Sequence, residues 1–68
     1  MKQGRYEVIF GTISGDFENG NSYGDYSNKA KAIAYAKRLL RYRGEKGDYV
    51  EVVDLASEFF DIVFRKEF

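Results

Sequence analysis

The chain has 68 residues, 11 Lys plus Arg against 11 Asp plus Glu, no cysteine and no histidine. That length allows one domain burying roughly 60% of its unfolded surface. Without cysteine there is no disulfide or thiolate metal site, and without histidine the commonest general base, zinc ligand and pH switch are missing.

The apolar share of 44% and aromatic share of 18% speak for a packed fold rather than disorder. No run approaches the ~18 apolar residues of a membrane span. Met1 to Arg5 lead straight into a strand-like segment without a signal-peptide pattern, so a cytoplasmic, non-membrane protein is expected.

Residues 6–13 read as a strand, because Tyr6-Glu7-Val8-Ile9-Phe10 combines β-branched and aromatic residues around a charge. Residues 14–26 form a glycine-rich flap. Asn19-Gly20 is its best turn signal, with Thr12-Ile13 and Ser22-Tyr23 as flanks of a small hairpin; an irregular loop is the alternative. Residues 28–43 form a helix rich in alanine and lysine, with Ser27 as N-cap and Gly44 as a left-handed stop. Its apolar face is Ala32, Ile33, Ala36, Leu39 and Leu40. Residues 48–54 and 59–65 are two further strands joined by a short connection. The fold class is therefore α+β: a small two-layer β-(flap)-α-β-β domain, with one helix on one face of a three-stranded sheet. If the first two strands are parallel neighbours, their crossover is right-handed.

The zero net charge hides a segregation. Residues 7–28 carry Glu7, Asp16, Glu18 and Asp25 with no basic residue, residues 29–46 carry seven basic residues against Glu45 alone, and residues 47–64 carry five carboxylates and no basic residue. The helix is cationic while the flap and sheet are anionic. Arg38, Arg41 and Arg43 suit the helix C-terminus, but Lys29 and Lys31 oppose the dipole in the first turn, at ~0.3–1 kcal/mol each. Lys31, Tyr35, Arg38 and Tyr42 line one flank, with Lys37 and Arg41 beside them. Cations alternating with rings suit nucleic acid, and equally suit a solvated helix with snorkelling tyrosines.

Strand alternation places Val8, Phe10, Val50, Val52, Phe60, Ile62 and Phe64 under the helix. The other face then carries Glu7, Ile9, Tyr49, Glu51, Val53, Phe59, Asp61, Val63 and Arg65. Either the flap covers that face with Phe17, Tyr23 or Tyr26, or the face is an interface, since a monomer rarely leaves so many apolar groups wet. The favoured binding set is Glu7, Ile9, Tyr23, Tyr49, Glu51, Val53, Phe59, Asp61 and Val63. Tyr49, Phe59 and Tyr23 would be anchors and the carboxylates would steer a partner with a basic surface, or a second copy would form a homodimer there.

Enzymatic chemistry finds no support. Gly15 and Gly20 have phosphate-loop separation, but Asn21 stands where lysine is needed and Asp16 and Glu18 repel phosphate. A calcium loop starting at Asp16 would have Asn21 at its glycine position. No cofactor and no metal are implied.

In size and general build the chain resembles the small proteins of phages and other mobile elements. That resemblance implies an inhibitor of a host defence or nucleic-acid-handling protein that acts by blockade, an anti-CRISPR-like role. The alternative function is a nucleic-acid-binding module using Lys31, Tyr35, Lys37, Arg38, Arg41 and Tyr42.

Overall fold

A computed structural model describes residues 4–68; Met1 to Gln3, and with them the N-terminal charge on Lys2, lie outside it. The elements are β1 (Tyr6–Ser14), β2 (Phe17–Tyr26), α1 (Lys29–Arg43), β3 (Asp48–Asp54) and β4 (Ile62–Glu67). One helix packs on one face of an antiparallel sheet of order β2-β1-β3-β4. The sheet has four strands rather than three, because the glycine-rich segment is itself a strand.

The β1–β2 hairpin closes on the Ser14–Phe17 pair, leaving Gly15-Asp16 as a two-residue loop, with Gly15 at φ +62°. That backbone is the one such loops favour at their first central position. Asn19 and Gly20 therefore sit within β2, opposite Thr12 and Gly11, and do not form the turn. Every β2 residue except Tyr26 is exposed. Its polar, glycine-rich composition protects an unpaired sheet edge from further strand pairing.

Since β1 pairs antiparallel with both β2 and β3, the parallel arrangement of the first two strands does not occur. The helix caps differ too. Asn28, not Ser27, caps α1, its Oδ1 accepting from the Lys31 amide at 3.1 Å. Gly44 is extended (φ −75°) and ends the helix by donating its amide to the Leu40 carbonyl at 3.0 Å.

Val8, Val50 and Val52 are wholly buried under Ala32, Ala36, Leu39 and Leu40. The two alanines have no bulk to hold the helix away from the sheet. Phe10, Phe64, Ile33, Tyr35, Tyr26 and Val63 pack around this core.

Two placements under the helix are overturned. The β3–β4 register advances from Val52–Phe64 to Val53–Ile62, so Val63 is an extra, bulged residue. A bulge reverses the alternation beyond it. Ile62 thus shares the open face with Val53, while Val63 packs against the core. Phe60 precedes β4 altogether and stands exposed in the connecting turn.

Candidate functional site

Register places Glu7, Ile9 and Ile13 of β1, Tyr49, Glu51 and Val53 of β3, and Glu18, Ser22 and Asp25 of β2 on the helix-free face. Its centre is filled by the chain itself. Tyr49 is only 3% exposed although no helix covers it. It pairs with Gly11, which pairs in turn with Gly20, so its ring has a side-chain-free track to lie across. A Cβ added at Gly20 would stand 2.7 Å from the Tyr49 hydroxyl and 2.6 Å from Ile9 Cγ2.

Arg65 closes the seat from above, its guanidinium 4.7 Å from the Tyr49 ring centroid. It donates to both Glu18 oxygens (3.1 and 2.6 Å), to Glu67 (3.4 Å) and to Glu51. The hydrogen bonds to Glu18 and then Glu51 push the Arg65 pKa up, against an opposing cost of burial. Burial, followed by the charges of Glu51 and Glu18, raises that of Tyr49. Tyr49 and Glu51 are therefore engaged within the molecule, not offered as a free anchor and a free steering charge.

The other proposed anchors are also redistributed. Tyr23 lies on the helix side of the sheet, its ring 5.5 Å from that of Phe10. Tyr26 lies there too, 5.5 Å from Tyr35. Phe17 pairs with Ser14 at the hairpin end and is exposed, so none of the three flap aromatics covers the open face.

Phe59 and Asp61 lie in the β3–β4 turn rather than on the sheet, and there the exposed apolar groups concentrate. Phe59 is 80% exposed, Phe60 60% and Ile62 54%. The turn is held by a dense set of bonds. The Asp54 amide donates to the Asp61 carbonyl (2.8 Å), the Ser57 hydroxyl donates to Asp61 Oδ2 (2.8 Å), and the Phe60 amide donates to the Ser57 carbonyl (3.2 Å). Arg5 anchors the base through a bidentate pair to Asp54, at 2.9 and 3.0 Å. That pairing holds the Asp54 carboxyl below its ordinary pKa, with help from the Ala56 amide and against the cost of burial. Phe60 has φ +51°, the only non-glycine positive φ among the described residues. For a side chain of that bulk the left-handed region costs about 1–2 kcal/mol.

Beside the turn, one row of the open face runs Asp25, Glu7, Val53, Ile62 across the four strands. Val53 and Ile62 continue the apolar surface from the turn. Glu7 and Asp25 are directly opposite like charges with no salt bridge among the described residues, an arrangement costing about 0.2–1 kcal/mol. Glu58 and Asp61 are exposed on the turn itself. The result is a hydrogen-bonded apolar knob between carboxylates.

On the opposite side of the molecule, Lys31, Lys37, Arg38, Arg41 and Tyr42 are exposed and Tyr35 is half-buried. No carboxylate lies within salt-bridge distance of any α1 cation among the described residues. Two open grooves flank the helix. One, of about 390 Å³, is lined by Tyr26, Tyr35, Arg38, Leu39, Tyr42 and Arg43. The other, of about 520 Å³, is lined by Lys37, Leu40, Arg41, Lys66, Glu67 and Phe68.

Among the described residues, no cluster of three acidic, histidine or cysteine side chains could hold a metal ion, and no helix is long and apolar enough to cross a membrane. No protein-family model, curated protein or solved structure matches the chain.

Strand alternation alone does not bring Phe60, Ile62 and Glu58 into the binding set. Unbroken alternation places Phe60 and Ile62 in the core. The signal that could have moved them is local: Ser57 before the phenylalanines and Asp61 after them are turn formers, which makes a strand start at 59 a poor fit.

Proposed function

We propose that the protein is a non-catalytic binding module that inhibits or modulates another protein by occupying its surface. The docking element is the β3–β4 turn with the adjoining Val53–Ile62 corner. What carries this reading is the bonded turn that holds Phe59 and Phe60 in solvent at the expense of a left-handed backbone at Phe60. Stability alone gives no reason to keep strain there, whereas pre-ordered aromatic anchors lower the entropy lost on binding.

The carboxylates define the partner. Glu7 and Asp25 on one side and Glu58 and Asp61 on the other fit an apolar cleft rimmed by lysine and arginine. Nucleic-acid-handling proteins present such rims, which accords with blockade of a host defence or nucleic-acid enzyme. Contact rests on Phe59 and Phe60, and the acidic rim steers association over the Debye length, ~8 Å at physiological salt.

The test is capture of a defined partner by three forms of the chain, followed by surface plasmon resonance. Phe59→Ser with Phe60→Ser should abolish capture, and Glu58→Lys with Asp61→Lys should mainly slow association. Lys31→Ala with Arg38→Ala should leave binding intact. Loss of binding in the helix variant with retention in the turn variant would place the surface on the wrong side. Sedimentation above the 7.9 kDa monomer, reversed by Phe59→Asp, would make the partner a second copy docking at this corner of the sheet face.

A further inference from the structure

A second surface stands independently of the first. The α1 cations Lys29, Lys31, Lys37, Arg38, Arg41 and Arg43 have no carboxylate partner among the described residues, and the first helical turn contains no acidic residue. By contrast, Glu18, Glu51 and Glu67 gather on Arg65, and Glu7 and Asp25 point with them to the helix-free face. Asp48 and Asp54 are engaged by Thr12 and Arg5. The carboxylates of the helix-free face, which would repel a polyanion from a randomly mixed surface, are thus turned away from the Lys31–Tyr42 flank, while Glu67 borders the neighbouring groove with Lys37 and Arg41 and Glu45 follows the helix.

The crest also offers rings. Lys31, Tyr35, Arg38 and Tyr42 follow one another at helical spacing, over about 16 Å at 1.5 Å per residue. Tyr35 is fixed by the Tyr26 ring 5.5 Å away, and both line the groove that Arg38, Arg43 and Tyr42 border. Tyr42 is 73% exposed, with the Arg41 guanidinium 5.6 Å from its ring centroid.

We propose that this side of the helix binds single-stranded nucleic acid, with Tyr42 and the Tyr26–Tyr35 groove stacking bases while Lys31, Arg38 and Arg41 hold phosphates. Every base has a stackable face, so such a site is sequence-tolerant. A duplex hides those faces, and an acidic peptide offers none, which is why the rings select a single strand.

The experiment is fluorescence anisotropy of a labelled 15-nucleotide oligo(dT). With three phosphate contacts, affinity should fall about 20-fold between 50 and 200 mM salt, following a single-strand slope near 0.7 per contact. Arg38→Ala with Arg41→Ala should lower that slope by roughly 1.4. Tyr42→Ala should weaken binding about tenfold and Tyr42→Phe should restore it, as expected when a ring stacks on a base. The turn variant Phe59→Ser with Phe60→Ser should bind as the parent does. Absence of saturable binding at 50 mM salt would overturn the proposal. So would equal affinity for a duplex of the same length together with indifference to Tyr42→Ala, which is general attraction of a polyanion. Loss of binding in the turn variant would overturn it as well.

Discussion

The centre of the open sheet face and the β3–β4 turn contain the same kinds of residue, aromatics beside carboxylates, and treat them in opposite ways. At the centre, Tyr49 lies over Gly11 and Gly20 under Arg65, and Arg65 takes up three carboxylates. At the turn, Phe59 and Phe60 have no such seat, and Glu58 and Asp61 meet no cation among the described residues. The difference lies in the neighbours. Glycine on two adjacent strands leaves a track for a ring, and one arginine two positions along a paired strand can cap it. A turn of seven residues, 55–61, has no second layer to supply either. Aromatic content therefore does not identify an anchor; the seat does.

Removing the seat's occupant should have the largest effect. Tyr49→Ala leaves Gly11 and Gly20 uncovered and should cost about 3–4 kcal/mol, read as a lower midpoint in urea unfolding. A loss under 1 kcal/mol would mean that the centre of the face is not part of the core. Arg65→Met keeps much of the stem but leaves Glu18, Glu51 and Glu67 without their common cation. It should cost about 1–2 kcal/mol, less at high salt, because like carboxylates then face one another.

Phe60→Gly should act in the other direction. Glycine adopts positive φ without the Cβ penalty, so stability should rise by about 0.5–1 kcal/mol after glycine's entropy is counted. Partner binding should fall at the same time, because the substitution also removes a contacting ring. An unchanged or lower melting temperature would remove strain from the comparison.

Acid should probe the base of the turn. Asp54 has a folded pKa below its ordinary 3.8, so the Arg5–Asp54 contribution is fully present above that value and is lost as pH falls through the lower folded one. Stability should then fall less steeply in Asp54→Asn than in the parent below about pH 4. The smallest effect belongs to Phe59→Ala. At 80% exposure its truncation should change stability by under about 0.5 kcal/mol, yet cost about 2 kcal/mol or more of partner affinity.

How much of this was legible beforehand follows from where each residue's determinants lie. The helix could be read from residues a few positions apart, since Ala32, Ala36, Leu39 and Leu40 repeat at helical spacing and are all buried. Val50 and Val52 likewise follow from alternation within one strand and are wholly buried. The segregation of charge between helix and sheet needed only counting. β2 was hidden because an edge strand needs no apolar period: eight of its ten residues pair with β1, and all but Tyr26 are exposed. The reversal of Ile62 depends on a single inserted residue at Val63, whose effect appears only when β4 is laid against β3.

By itself, then, the sequence determined a one-sided cationic helix, a valine-rich sheet core and a separation of opposite charges, all of which are local periodicities or compositions. The tertiary structure alone decided which aromatics stay in solvent. The seat of Tyr49 is built from Gly11, Gly20 and Arg65 on three other strands, and the exposure of Phe59 and Phe60 comes from a turn held by Arg5 nearly fifty residues away. Burial is a property of what packs against a residue, and those partners are distant in the chain.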